Sequence, residues 1–172
     1  MRGARRIKAY SLARQAMNSG EEFAEALRAA SPAGAIRPPA SEKMISQAEQ
    51  RYGVRLPKDM TWFYRATNGM NWPTHRDNGW IRIWNLESWH RVRDAPSLNN
   101  EPIYHQLQDA LLFADHGDSS WFYAGEFSPE PGDVRIHLVD GLRPAKLVAR
   151  SFTSFVNATL TDAADIYPNE AG

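Results

Sequence analysis

The chain contains no cysteine. That removes disulfides, thiolate nucleophiles and cysteine-ligated zinc together. It suits a reducing compartment, and the expected localisation is cytoplasmic. An excess of one charge sign is also lacking: 20 Lys and Arg stand against 20 Asp and Glu, a formal net charge of zero. A global basic footprint for DNA or RNA is therefore missing, and no nucleic-acid partner is expected. No apolar run approaches the roughly 20 residues that cross a bilayer, so no membrane partner is expected either. The start of the chain lacks the apolar stretch of a secretory leader. It carries Arg2, Arg5, Arg6, Lys8 and Arg14 before the first acid, Glu21. Such a segment can look like an organellar transit peptide, but Ile7, Tyr10, Arg14 and Met17 fall near helical spacing and read as an appended amphipathic helix.

Catalytic signatures are equally sparse. Gly-x-Ser-x-Gly, the phosphate loop, the dinucleotide fingerprint and the helical His-Glu-x-x-His pair are all missing. The most enzyme-like stretch is Asp115-His116-Gly117-Asp118, followed by Ser119 and Ser120. Two carboxylates and an imidazole could ligate a metal, with His75 and Asp77 or His90 completing the set. Asp and Gly are also turn formers for backbone reasons, and the stretch falls where a turn is needed. The turn reading is preferred; no catalytic residue, metal or cofactor is expected.

What is present is ordinary globular material. Of 172 residues, 42% are hydrophobic and 23% charged, which suits one domain with a real core. Ser19 and Glu22 have the form of a capping box, ahead of Phe23, Ala26, Leu27 and Ala30 on one helical face. Pro32, Gly34, Pro38 and Pro39 then predict a loop. Ser41 caps a second helix lined by Met44, Ile45, Ala48 and Tyr52 and ended by Gly53. Pro57 suits the first position of a third helix, with Met60, Phe63, Tyr64 and Thr67 inward and Asn68-Gly69 as its left-handed stop.

The period then changes from helix to strand. Trp80 to Trp84 puts Ile81 and Ile83 on one face and Trp80, Arg82 and Trp84 on the other. Asn85 caps a short helix with Leu86, Trp89 and Val92; residues 93–108 read as a loop. Strands follow at 111–114, 121–127, 134–139 and 146–150, separated by turn signals short enough to favour antiparallel pairing. Ser151 caps a closing helix with Phe152, Phe155, Val156 and Leu160. The predicted fold is α+β: an antiparallel meander sheet with N-terminal helices and a C-terminal helix packed on one face. The expected divisions are an N-terminal extension and linker over 1–40, the α+β domain over 41–162 and a tail over 163–172.

This order, and the residues at its corners, resembles the SUKH superfamily. The likeness begins at Ile45-Ser46-Gln47-Ala48-Glu49, runs through Tyr52-Gly53-Val54-Arg55-Leu56-Pro57, then Phe63 and Asn68-Gly69. It resumes at Leu112-Phe113-Ala114, Gly117-Asp118, Trp121-Phe122-Tyr123 and Ser151-Phe152 with Phe155. The superfamily includes bacterial immunity proteins and a fungal regulator of cell-wall synthesis. The resemblance therefore implies a non-enzymatic binding module, with a cognate toxin protein as partner and occlusion as its device. A regulatory or scaffold module of the same fold is the alternative. A monomer is expected over an oligomer. The quoted residues have fold roles of their own: Pro57 and Gly69 set helix ends, and Glu49 either accepts backbone N–H groups at the Leu56 corner or is simply solvated.

The binding surface is sought where strand alternation leaves unusual residues outside. The inward set is Ile81, Ile83, Val134, Ile136, Leu138 and Leu147. The alternates Trp80, Arg82, Trp84, Arg135, His137, Lys146, Val148 and Arg150 then share the face opposite the helices. Two tryptophans flanking an arginine suit a partner site, and the face leans positive. A second candidate is the loop edge near Trp72, His75 and Asp118, where Trp72 is either a lid over the core or an exposed anchor. The predicted partner-binding residues are Trp80, Arg82, Trp84, Arg135, His137, Trp72, His75 and Asp118.

Overall fold

The computed structural model describes residues 20–31, 34–71, 81–98, 101–116, 119–128, 132–161 and 163–168. Helix α1 spans Gly20–Ala30, α2 Glu42–Tyr52 and α3 Lys58–Ala66. Helix α1 lies against α3; its Ala24 is fully buried and its Ala26 packs on the core. The side chains of Phe23, Leu27 and Ala30, the remainder of the predicted stripe, lie outside the described part, as do residues 1–19.

Helix α2 starts where the hydroxyl of Ser41 accepts the Met44 N–H at 3.3 Å, and ends at Gly53 with φ 65°. The cap satisfies one of the orphan donors of the first turn and is worth about 1 kcal/mol. Ile45, Ala48 and Tyr52 are buried, as the spacing predicts. The two readings of Glu49 are resolved: its carboxylate accepts the Leu56 N–H at 2.9 Å and fixes the α2–α3 corner. Pro57 stands one place earlier than expected, as the N-cap of α3.

Gly69 has the left-handed backbone predicted for it, but it is not the stop of α3. Helix α3 already ends at Thr67, whose backbone is extended (φ −157°, ψ 138°). Gly69 has φ 77°, and a Cβ there would stand 2.6 Å from the carbonyl carbon and oxygen of Trp84. Its lack of a side chain lets the 67–71 segment press against the first strand. Asn68 beside it bridges the gap, accepting the Leu86 N–H at 3.1 Å and donating to Glu87 at 3.1 Å. Burial alone would raise the Glu87 carboxyl, but its own backbone N–H and the amides of Asn85 and Asn68 hold it below the usual range.

Among the described residues the strands are β1 Ile81–Ile83, β2 His90–Arg91, β3 Leu111–His116, β4 Phe122–Phe127, β5 Val134–Val139 and β6 Lys146–Ala149. They form one antiparallel sheet in the order β1-β3-β4-β5-β6, with β2 also pairing β3. Strands β1 and β2 thus share one edge of β3, Ile83 opposite Ala114 and Arg91 opposite Leu111. Helix α4, Phe152–Leu160, closes the chain order; the Ser151 hydroxyl accepts the Ser154 N–H at 3.1 Å. The α+β meander is the architecture the periodicity predicts.

The main core lies between the helices and one sheet face. Met60, Phe63, Phe113, Tyr123, Ile136 and Phe155 are wholly buried there. Asp59 ties α3 to α4 by accepting both the N–H and the hydroxyl of Thr153 at 2.7 Å.

Two expectations need correction. First, residues 93–108 are not a plain loop. They carry short 3-10 turns at Val92–Asp94 and Pro102–Leu107, and Val92, Ala95, Leu98, Tyr104 and Leu107 are buried with Leu112, Ala124 and Val139. The segment packs on the outer face of the sheet and builds a second, smaller core. Second, the alternation predicted for β6 is displaced. A register shift between Ile136 and His137 pairs Leu147 with His137, which leaves Leu147 37% exposed on the outer side. Val148 and Ala149 turn to the main core instead. An irregularity of this kind reverses the side-chain sense that strict alternation assigns.

Candidate functional site

A buried hydroxyl network holds the first strand from behind. The Tyr64 hydroxyl donates to the Trp84 carbonyl at 2.9 Å and accepts the Trp89 indole N–H at 3.2 Å. The Tyr52 hydroxyl donates to the Trp89 carbonyl. Burial pushes the phenols of Tyr64 and Tyr52 above their ordinary range, which keeps both neutral donors. On the other side the Trp84 N–H donates to the Phe113 carbonyl at 2.8 Å. The Trp84 backbone is fixed on both sides, so its indole has a set place on the outer side.

That indole stacks on His90, with ring centroids 5.2 Å apart and planes 18° apart, and meets Phe122 edge-on at 6.1 Å. The ring of His90 is held in turn by a 3.1 Å contact from Nδ1 to the Ser88 carbonyl. Trp84 and His90 are half-buried, each with a face to solvent. Together with Arg37, Asn71, Arg82 and Asn85 they line an open groove of about 370 Å³.

Arg82 is not a free cation. Its guanidinium grips Asp115 from the facing strand through both carboxylate oxygens, Nε to Oδ1 at 3.0 Å and Nη2 to Oδ2. Asp115 is fully buried, while the Arg82 side chain stays 32% exposed. The Ser119 hydroxyl adds a 3.1 Å bond to the same carboxylate, and Ser119 reaches it with a left-handed backbone, φ 59°. Two of the five guanidinium donors are thus used inward; the remainder are available toward the groove. Arg37 makes no side-chain hydrogen bond or ion pair among the described residues, although Glu87 lies within its field.

The structure brings together some of the predicted residues and separates others. Arg82 and Trp84 meet in the groove. Arg135 and His137 share the outer side but stand on β5, beyond the second core, and both pair with Glu126, at 3.8 and 3.3 Å. Trp72, His75, Trp80 and Asp118 lie outside the described residues. In the Asp-His-Gly-Asp stretch, Asp115 is committed to Arg82, and His116 stacks on Trp121 at 4.0 Å. Among the described residues no three His, Asp or Glu gather as a metal site. Sequence reasoning missed Arg37 and His90 as groove residues. Arg37 sits in a stretch read as linker, and His90 belongs to a two-residue strand too short to show a period.

A second groove, about 550 Å³, lies by the α2 C-terminus between Glu49, Arg55 and Phe127; its two charges face each other at 3.7 Å.

The sequence matches the model of the SMI1 / KNR4 family (SUKH-1) over residues 39–158. The chain belongs to the SUKH-1 family. The matched span runs from the segment before α2 into α4, so it takes in every strand among the described residues and most of both cores. Within the matched span lie Glu49 on the Leu56 N–H, Pro57 at the head of α3, and Gly69 against the Trp84 backbone. No curated protein matches the chain. No helix among the described residues is long and apolar enough to cross a membrane.

Proposed function

We propose that this SUKH-1 chain is an immunity-type protein that neutralises a cognate toxin by binding and occluding it, with no chemistry of its own. The observation that carries this reading is the Trp84–His90 stack. A half-exposed tryptophan, fixed through its backbone and stacked on a histidine, lies beside arginine donors at a groove. Rigid aromatic and arginine anchors of this kind lose little entropy on docking and dominate binding energies. Arg82, Trp84, Arg37 and His90 form the proposed anchor. Arg135 and His137 across the second core are proposed as its periphery, and Trp72, His75, Trp80 and Asp118 stay among the proposed partner-binding residues. The proposed location is the cytoplasm, where a toxin would have to be met before it acts.

The test is stoichiometry. The toxin encoded in a neighbouring reading frame is assayed for activity while this protein is titrated in. Occlusion predicts an end point at equimolar protein, with full toxin activity recovered when the complex is dissociated. Inactivation by a small fraction of an equivalent, or toxin that stays inactive after separation, would show catalysis and contradict the reading.

A further inference from the structure

The two edges of the sheet are finished differently. At the β1/β2 edge, backbone groups are capped from outside the sheet: the Met70 N–H donates to the Ile83 carbonyl at 2.8 Å, and Tyr64 and Tyr52 donate to the Trp84 and Trp89 carbonyls. At the opposite edge β6 is the last strand, with the short 3-10 turn Ala164–Ile166 packed near it. Leu147, Val148 and Ala149 make no backbone hydrogen bond to any described segment on the side away from β5. An exposed row of unpaired strand groups is a template for another strand.

The surroundings of β6 specify what would fit. From Asp140 to Asp162 the chain carries Arg143, Lys146 and Arg150 and no acid between them; Arg143 stands 3.9 Å from Asp140, and Lys146 donates to the Tyr167 carbonyl at 3.0 Å. Arg150 is exposed at the end of β6, without a partner among the described residues. Two exposed aliphatic side chains stand here, Leu147 on β6 at 37% and Leu142 in the β5–β6 turn at 85%. A second copy laid on β6 would set these cations against themselves. An anionic strand would meet them with opposite charge and could lay an apolar side chain on Leu147.

We infer that the β6 edge accepts an acidic, extended segment of a partner protein as an added strand. This surface lies at the other end of the sheet from the Trp84 groove, so it is independent of the anchor proposed above and stands or fails separately. The backbone supplies hydrogen bonds of no sequence preference, and Arg150 selects the charge of the incoming strand.

The experiment uses the full chain and amide hydrogen exchange read by NMR. The probe is a short end-capped peptide alternating valine and glutamate, at millimolar concentration and low salt. A peptide alternating valine and lysine is the control. Near saturation, the acidic peptide should slow exchange of the outward amides of β6 by about tenfold, while the lysine peptide leaves them unchanged. Arg150→Glu, at an exposed position outside both cores, should weaken the acidic peptide by about threefold to tenfold. The inference is overturned if the acidic peptide leaves β6 exchange unaltered, if both peptides protect equally, or if Arg150→Glu binds like the parent. Outward β6 amides already protected without peptide would overturn it too. Protection that grows with protein concentration would assign the edge to a second copy, and protection independent of concentration to this chain itself.

Discussion

The two faces of the sheet are built on different plans. The inner face is aromatic and continuous: Phe63 meets Phe152 at 5.3 Å, Phe113 meets Phe155 at 5.5 Å, and Tyr123 meets Phe155 at 4.9 Å. The outer face is divided. Its centre is plugged by the 92–110 segment, with Tyr104 pinning the plug to the β5–β6 turn through a 2.8 Å bond to the Arg143 carbonyl. On one side of the plug lies the Trp84 groove, and on the other the Glu126–His137 pair. The inner face thus specifies the fold. The plug seals the middle of the outer face and leaves polar and aromatic groups accessible only at its margins. The proposed binding surface lies on this outer margin, where the Trp84 side chain also packs on both cores.

The largest predicted effect tests the inner face. Trp89 is buried at the junction of Tyr52, Tyr64 and Phe113. Trp89→Ala should cost about 3–5 kcal/mol in chemical denaturation through cavity formation and the lost hydrogen bond to Tyr64. Leu107→Ala in the plug, where Leu107 retains 8% exposure, should cost about 2 kcal/mol or less. Equal losses would erase the distinction between a primary and a secondary core.

Next comes the ion pair at the margin. Arg82→Ala leaves the Asp115 carboxylate buried with Ser119 as its remaining side-chain partner, and should cost about 2–3 kcal/mol. Asp115→Asn in the Arg82→Ala background should restore part of that loss, because a neutral amide tolerates burial better. A double mutant no more stable than Arg82→Ala would remove the pairing role. It follows that Arg82→Glu is a poor probe of binding, since it sets two carboxylates together in a buried site.

The smallest effect is at Glu87. Its carboxyl sits below the ordinary range when folded, so the unfolded chain takes up its proton at higher pH than the folded one. The contribution is full above the unfolded value and is lost as pH falls through the folded value. Glu87→Gln should therefore lower stability near neutrality by about 1 kcal/mol or less. The gap between parent and mutant melting curves should close as the solution becomes acidic. A gap that widened instead would reverse the assignment.

Much of the inner face was legible in the sequence because helices α2, α3 and α4 carry clear apolar stripes with caps at their ends. Ser41, Gly53 and Ser151 mark three of those ends without reference to anything distant. The plug was not legible. Val92, Ala95, Leu98, Tyr104 and Leu107 follow neither a helical nor a strand period, since they are held by 3-10 turns and by contacts with strands distant in sequence. The β6 register was missed for a related reason: a bulge is a property of a strand pair, and one strand's alternation cannot reveal it. Of the site, Arg82 and Trp84 were visible as alternates to Ile81 and Ile83. The burial of Asp115 and its grip on Arg82 were not, because the pair spans 33 positions and joins two strands through their register. Gly69 was visible as a glycine that mattered, but its reason, the closeness of the Trp84 backbone, exists only in three dimensions.

The central claim is that the proposed toxin binding resides in the groove. Its most direct test is Trp84→Ala, compared with the parent for melting temperature and for toxin affinity by calorimetry, with Arg37→Glu alongside. Anchor residues of this kind account for about 2 kcal/mol or more each, so the account predicts affinity weakened by about 30-fold or more. Trp84 also packs on both cores, so Trp84→Ala should lower the melting temperature while still unfolding cooperatively, and Arg37→Glu should leave it close to the parent. Two folded variants that bind the toxin as tightly as the parent would contradict the account.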